Sequence, residues 1–243
     1  MMSSTARIKT KTPSPYKVIS IETDTHDTKT FRFELSPDAT LDMLPGDFLY
    51  VHTTSNGKQL KRAYTPSSLP GTMGSFDLTV KRYDAGVVSK YLHEQRIGDM
   101  VLMSGPNPGG HWVDGMAKRV GFVAGGTGIT PMISIIRWML TNKIDAELFL
   151  IFANKTESDI IFRQEWERHM RDYPNFHCYH VLEHPLPEWS GGTGRITSDM
   201  LQHHLPAPSP DTCIFLCGPP PMVDSLEIML KDLGYSDQAI ILP

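Results

Sequence analysis

Two rhythms of apolar residues divide the chain. Up to about residue 104, apolar and polar positions alternate with the two-residue period of a strand over Lys17–Glu22, Thr30–Glu34, Phe48–Thr53, Leu60–Tyr64, Ser75–Tyr83 and Met100–Ser104. Turn-forming pairs separate them at Pro45-Gly46, Asn56-Gly57 and Pro70-Gly71. From residue 119 onward strands and helices take turns. Strands are predicted at Arg119–Ala124, Glu147–Ala153, Phe176–Leu182 and Thr212–Cys217, and helices end near Thr141 or span Ile160–Asp172, Thr197–His204 and Pro221–Leu233. That alternation predicts a parallel sheet with right-handed crossovers. The run Gly105 to Gly110 is too rich in glycine and proline for either element and marks a domain boundary. The predicted organisation is therefore a frayed, polar segment over 1–15, an all-strand domain over 16–110, a linker over 111–118 and an α/β domain over 119–243.

Composition agrees with two modest domains. The 243 residues are 40% hydrophobic and 21% charged, as in a soluble globular protein. Ile133–Leu140 is interrupted by Arg137 and falls well short of the ~18 apolar residues of a membrane span. Met1-Met2-Ser3 offers neither a myristoylation glycine nor a signal core, so a soluble form or a piece separated from an anchor is expected. Three cysteines, Cys178, Cys213 and Cys217, predict a reducing, cytoplasmic compartment and lack the spacing of a plant-type iron–sulfur centre. His177, His180, His184 and the pair His203-His204 have no matching cysteine or carboxylate pattern, so they are expected to be solvated surface residues and no metal is predicted.

Candidate chemistry sits at the element ends. Val120 to Ala124 is an apolar strand pattern, and Gly125, Gly126 and Gly128 then let backbone approach a phosphate closely. A helix beginning near Ile129, with Pro131 in its first turn, would aim its orphan N–H groups at an anion. The spacing is not that of the Rossmann Gly-x-Gly-x-x-Gly, and an ordinary strand-to-helix turn has the same appearance. In the first half, Arg62 and Tyr64 are predicted on one strand face, with Ala63 and Thr65 on the other. Lys81 and Tyr83 repeat the device, and Gly86-Val87-Val88-Ser89 offers a hydroxyl beside a helix start. Taken singly, these are also the features of solvated strands and a capped short helix.

In this order, Arg62-Ala63-Tyr64-Thr65-Pro66, Val80-Lys81-Arg82-Tyr83, Gly86-x-x-Ser89, Gly125 to Met132 and Cys217-Gly218-Pro219-Pro220-Pro221-Met222 resemble the motifs of cytochrome b5 reductases and nitrate reductase flavin modules, in the ferredoxin-NADP reductase superfamily. The resemblance runs from about Tyr16 to the end. It implies an antiparallel β-barrel that binds FAD, followed by an α/β domain that binds NADH. Arg62 would meet the FAD pyrophosphate, Tyr64 the flavin or its ribityl chain, and Ser89 with Gly86, Val87 and Val88 the phosphates from the other side. Thr65 would lie nearest the hydride-accepting nitrogen. Ala63 and Tyr83 complete the FAD set, Lys81 would reach toward the incoming nucleotide, and Thr130 toward the flavin. Thr127, Gly128, Gly218, Pro219 and Met222 would line the nicotinamide nucleotide, with Cys217 near the carbon that gives up its hydride or, alternatively, a buried strand-end thiol. Asp159 occupies the place facing the adenosine ribose, where a carboxylate repels a 2′-phosphate and favours NADH.

Three departures qualify the match. Ala63 replaces a common proline, Val87-Val88 replace Lys-Met, and the chain ends Ile241-Leu242-Pro243 instead of in an aromatic segment. The implied protein is an NADH-dependent FAD reductase passing electrons to a one-electron haem acceptor, cytochrome b5 or a similar acidic haem protein, and acting as a monomer with neither a nucleic-acid partner nor a membrane span. The alternatives are a flavin module of a nitrate reductase-type enzyme and a redox-silent nucleotide-binding subunit. Charge supports an acidic partner: the first 110 residues carry 13 Lys and Arg against 11 Asp and Glu, a balance of +2, whereas the remainder carries 10 against 16, a balance of −6. Lys58, Lys61, Arg62, Lys81, Arg82 and Lys90 fall in the segments expected around the flavin.

Overall fold

A computed structural model describes residues 5–243. They form two compact units, one comprising the described residues up to His111 with Ile133–Trp138, the other Trp112–Met132 with Met139–Pro243. The first contains β1 (Ala6–Ile8), β2 (Thr10–Thr25), β3 (Thr28–Glu34), β4 (Ala39–Leu41), β5 (Phe48–Ser55), β6 (Lys58–Tyr64), β7 (Ser75–Lys81), α1 (Val87–His93) and β8 (Met100–Asn107). Six of these strands pair antiparallel in the order β6-β5-β8-β2-β3-β7. The two ends of that row meet: just past β6, Ser67 N–H donates to the Asp77 carbonyl at 2.9 Å, Ser67 Oγ lies 2.8 Å from Thr79 Oγ1, and Asp77 N–H donates to Ser68 Oγ at 3.1 Å. This closes the sheet into the expected barrel and ties off an otherwise exposed edge. Val18, Phe31, Phe33, Leu49, Val51, Phe76, Leu78, Val101 and Met103 fill its core, joined by Val88 and Leu92 of α1.

Of the N-terminal segment expected to be frayed, residues 1–4 lie outside the described residues, and the rest is mostly strand. β1 pairs in parallel with β4, and β2 already pairs with β8 at Thr10↔Gly105 and Ser14↔Met103. Pro13 and Pro15 are tolerated because this half of β2 pairs with β8 only; pairing with β3 begins at Val18. The Gly-Pro run is likewise not wholly irregular, since β8 continues to Asn107.

The second unit contains β9 (Arg119–Gly125), both ends of α2 (Ile129–Thr141), whose middle Ile133–Trp138 groups with the first unit, β10 (Glu147–Asn154), α3 (Arg163–Asp172), β11 (Phe176–Leu182), β12 (Gly192–Thr193), α4 (Ser198–His204), β13 (Thr212–Cys217), α5 (Pro220–Asp232) and β14 (Ile240–Ile241). Its strands are parallel in the order β12-β11-β10-β9-β13-β14. Strand alternation splits the core: Trp166 of α3 packs against Phe152 and Phe176, while Ile151 and Val181 face the cluster that contains Leu201 of α4 and Leu226 and Leu230 of α5. α3 starts three residues later than predicted. Phe162 adopts φ 59°, which stops a helix, and the apolar pair Ile160-Ile161 is buried ahead of it. Among the described residues no helix is long and apolar enough to cross a membrane.

The histidine expectation needs correction at two positions. His180 is half-buried, its Nδ1 has no hydrogen-bond partner among the described residues, and burial pushes its pKa down to about 4. The His204 ring stacks on Tyr179 with centroids 3.5 Å apart.

Candidate active site

In the barrel unit, closure brings the two motif-bearing ends together. Tyr64 ends β6 and packs partly against the core; burial, with the neighbouring Tyr83 and against the opposing effect of Arg62, pushes its phenol pKa up to about 12. The phenol is thus a neutral hydrogen-bonding group at physiological pH. Arg62 is exposed on β6, with Nη1 donating to the Lys61 carbonyl at 2.9 Å, and Ala63 is exposed beside it. Thr65 is half-buried just beyond the strand, so strand alternation does not fix its face. Lys81, the last residue of β7, holds its ammonium 2.7 Å from Asp27 Oδ2, and Tyr83 is 47% exposed.

The Gly86–Ser89 loop differs from expectation. α1 begins at Val87, so Gly86 is the cap and Ser89 lies inside the first turn. Its hydroxyl is already engaged, accepting from Tyr83 N–H at 3.3 Å and donating to the Gly86 carbonyl at 3.4 Å. A methyl group at Gly86 would collide with Ser89 Oγ and lie 3.0 Å from Tyr83 Cβ, so the loop closes over bare backbone. Val87 is 43% exposed and Val88 is buried in the barrel. With no acidic residue in the first helical turn and exposed Arg62 on the same unit, this surface suits an anionic, ring-bearing ligand such as FAD.

In the α/β unit, β9 leads to β10 and β11 on one side, while β13 adjoins it on the other. The strand order therefore reverses between β9 and β13, and the crevice beyond their carboxyl ends is where open α/β sheets bind ligands. Both glycine motifs stand there. Gly126–Gly128 form a 3₁₀ turn after β9, and Cys217-Gly218-Pro219 follow β13 into α5. A methyl group at Gly128 would strike the Cys217 carbonyl and lie 2.8 Å from Gly218 N, whereas one at Gly125 would strike Met222 Sδ. The two turns are thus packed backbone to backbone under the Met222 thioether. α5 starts with Pro220 and Pro221, which carry no N–H, and the N–H groups of Met222 and Val223 donate to the Pro219 carbonyl at 2.9 and 3.1 Å. It is therefore the bare backbone of the two glycine turns, without acidic residues in the first turns of α2 and α5, that suits the pyrophosphate of a dinucleotide. Thr130 is buried and donates to the Thr127 carbonyl at 3.1 Å. Cys217 is half-buried, and burial raises its pKa to about 11 despite the Gly218 N–H, so it is a thiol at neutral pH.

Asp159 has a structural task of its own. It is 7% exposed, and its Oδ2 accepts from Thr156 N–H at 3.1 Å and Thr156 Oγ1 at 2.6 Å in a capping box around the Glu157–Asp159 turn. The sequence reasoning missed Asp27. His26-Asp27 reads simply as a hairpin tip, and only the barrel's cross-strand register brings it against Lys81.

Comparison with known proteins follows this division. Residues 15–112 match the oxidoreductase FAD-binding domain family and residues 122–227 the oxidoreductase NAD-binding domain family. The chain is 38% identical over 240 residues to NADH-cytochrome b5 reductase 1 of Aspergillus terreus, covering 94% of this chain and 81% of that protein. It is 37% identical over 228 residues to the enzyme of the same name from Mortierella alpina, covering 92% and 76%. Among solved structures, the cytochrome b5 reductase domain of Ulva prolifera nitrate reductase superposes with a TM-score of 0.90 at 30% identity, covering 97% of this chain and 99% of that one. Fold and site together define a two-domain flavin- and pyridine nucleotide-dependent oxidoreductase. The chain belongs to the NADH-cytochrome b5 reductase family.

Proposed function

We propose that the protein carries reducing equivalents from NADH through FAD to a one-electron haem acceptor, cytochrome b5. One observation carries the reading: a single chain of this family builds two cradles of bare backbone, at Gly86 against Ser89 and at Gly128 against the Cys217 carbonyl. In this reading residues 16–110 hold FAD and 119–243 hold NADH, joined by 111–118, and since one chain supplies both cradles the working unit is a monomer. The free thiols Cys178, Cys213 and Cys217 fit a reducing compartment, the cytoplasm.

FAD, when bound, supplies the conversion between a two-electron donor and a one-electron acceptor. The chain's own residues bind and orient. Arg62 takes the FAD pyrophosphate, Tyr64 gives a ring surface and a neutral hydroxyl, Tyr83 a second ring surface, and Gly86, Val87, Val88 and Ser89 present backbone to the phosphates. Ala63 and Thr65 flank the flavin ring, and Lys81 meets the incoming nucleotide. Thr127, Gly128, Gly218, Pro219 and Met222 line the nicotinamide nucleotide, with the neutral Cys217 thiol beside its reacting carbon. A thiol that stays protonated adds no competing negative charge there.

Asp159 selects NADH by its charge, and its cap role dictates the test. Asp159→Asn keeps an oxygen for Thr156 while removing the charge. It is expected to raise the NADPH-to-NADH ratio of kcat/KM by roughly tenfold or more, because like charges about 4 Å apart repel by several kcal/mol near a protein surface. Asp159→Ala should shift the ratio similarly and also lose about 0.5–2 kcal/mol of stability with the cap. A ratio unchanged in both variants places nucleotide choice elsewhere.

The acceptor is tested by salt. Of the basic residues near the flavin motifs, Lys81 and Arg82 are paired with Asp27 and Asp84, and the Lys61 ammonium sits 4.0 Å over the Tyr50 ring. Lys58 is exposed at the start of β6 with no ion-pair partner among the described residues. Electron transfer to an acidic cytochrome b5 is expected to fall as ionic strength rises, and Lys58→Glu or Lys61→Glu should slow association without slowing NADH-driven flavin reduction in stopped flow. A salt-independent rate under association-limited conditions rejects docking on this face. Colourless protein, inert with NADH and ferricyanide, would instead indicate a redox-silent subunit.

A further inference from the structure

Asp27 sits in the two-residue turn between β2 and β3 and contacts more than a turn needs. Its Oδ1 accepts from Thr25 Oγ1 at 3.0 Å and from Thr28 Oγ1 at 3.1 Å, which secures the two strand ends. Its Oδ2 reaches the neighbouring strand and lies 2.7 Å from Lys81 Nζ, while its backbone carbonyl accepts from Arg82 N–H at 2.7 Å. His26 Nε2 stands 3.6 Å from the same Oδ2. Burial raises the carboxyl pKa, but the hydrogen bonds from Lys81 and Thr25 and the charges of Lys81 and His26 together bring it below the ordinary aspartate value. Asp27 is therefore a carboxylate at neutral pH, anchored at one oxygen by two hydroxyls.

The effect on Lys81 is unusual for a lysine at a strand end. Its side chain is only 15% exposed and that of Asp27 25%. A solvated lysine side chain keeps rotamer freedom that costs up to about 2 kcal/mol to remove. Here the anchored carboxylate has already removed it. An ammonium bonds through three donors set tetrahedrally, so a bond to a fixed oxygen also aims the group. A ligand that meets Lys81 finds it ordered beforehand, which is how preorganisation raises affinity. The same hairpin tip holds Arg82, one residue before Tyr83 and four before the Gly86 cradle, so the ordered ammonium and the phosphate-binding loop share one anchor.

We propose that Asp27 is a positioning residue that pre-orders the Lys81 ammonium for the phosphates of the incoming dinucleotide. The inference rests on the reading of Lys81 as a nucleotide ligand. It is tested in the flavin-loaded protein by a cycle of Asp27→Asn, Lys81→Ala and the double variant, with calorimetric binding of NAD⁺ and the KM for NADH as readouts. Asparagine keeps an oxygen for Thr25 and Thr28, so the hairpin is expected to hold. Asp27→Asn should weaken NAD⁺ binding and raise KM by about five- to tenfold, with the loss falling on KM more than on kcat. In the Lys81→Ala background the same change should alter either value less than twofold. Asp27→Glu, which keeps the charge one methylene further out, should recover part of the affinity and serves as a second comparison if the Asn variant loses flavin. Equal losses in both backgrounds overturn the inference, as does tighter binding in Asp27→Asn, which would make the carboxylate a competitor of the phosphates. Unchanged binding in Lys81→Ala alone strikes down the reading of Lys81, a failure separable from that of Asp27.

Discussion

Arg62→Ala is expected to give protein that loses its yellow colour on gel filtration. The guanidinium is exposed on β6, and its hydrogen bond from Nη1 to the Lys61 carbonyl joins neighbouring residues. Removing it leaves the barrel core untouched, because Leu49, Val51 and Tyr64 pack independently of it. What is lost is a planar fork that pairs with two phosphate oxygens at once, a charge-assisted contact of about 1.5–3 kcal/mol. That corresponds to roughly a 10- to 150-fold rise in the FAD dissociation constant. Arg62→Lys keeps a point charge without the fork and should retain an intermediate amount of flavin. The ratio of flavin to protein absorbance and the fluorescence of released FAD measure both variants. Full occupancy in Arg62→Ala would mean that the pyrophosphate is held by the Gly86–Ser89 loop without help from β6.

How much of this was legible in the sequence depends on the range of the interactions involved. β13 falls where an apolar run between turn signals predicts it, at Thr212–Cys217, because a strand covered on both faces writes its burial directly into its residues, and β11 falls at Phe176–Leu182 as predicted although its middle is only half-buried. β2 was only half legible. Its first half is polar, carries Pro13 and Pro15 and pairs on one side only, so local chemistry resembles a loop while the partner strand supplies the hydrogen bonds. The very short β4, β12 and β14 have no periodicity to read. At the site, glycines and basic-aromatic pairs were legible as residue types in a familiar order, but their engagements were not. Ser89 looked like a free hydroxyl and is bound to its own loop, Lys81 is held by a residue 54 positions upstream, and Asp159 is tied to Thr156. The Thr156-to-Asp159 contact alone had a local signal, a Thr-x-x-Asp spacing of capping-box type. Closure of the barrel, which brings Tyr64 near Tyr83, is a property of strand order and has no signature in either motif.

The second large effect is expected from Gly128→Ala, which should abolish or severely weaken NADH-driven flavin reduction while leaving FAD bound. Gly128 is fully packed, and the atoms a methyl group would meet are the Cys217 carbonyl and, at 2.8 Å, the nitrogen of Gly218. Both are backbone at the end of β13, which pairs with β9 along its length, so neither can rotate aside as a flexible side chain could. Relief requires the two turns to part, which moves Cys217, Gly218 and the start of α5 together. Overpacking of this kind costs typically about 1–3 kcal/mol and occasionally more. Here the displaced atoms are also those proposed to receive the nucleotide. Gly126→Ala is the matched control. Gly126 has φ +53°, so alanine there bears a left-handed conformation worth about 1–2 kcal/mol, but no atom lies within 4 Å of the added methyl. The two variants should therefore lose comparable stability and differ in function. Gly126→Ala keeps the spacing between the turns and should reduce flavin with a modest rise in KM, whereas Gly128→Ala should show a KM increase beyond tenfold or no measurable reduction. Thermal unfolding and stopped-flow reduction by NADH, measured side by side, separate the two effects, and equal kinetics in both variants would remove the contact between the turns from the nucleotide site.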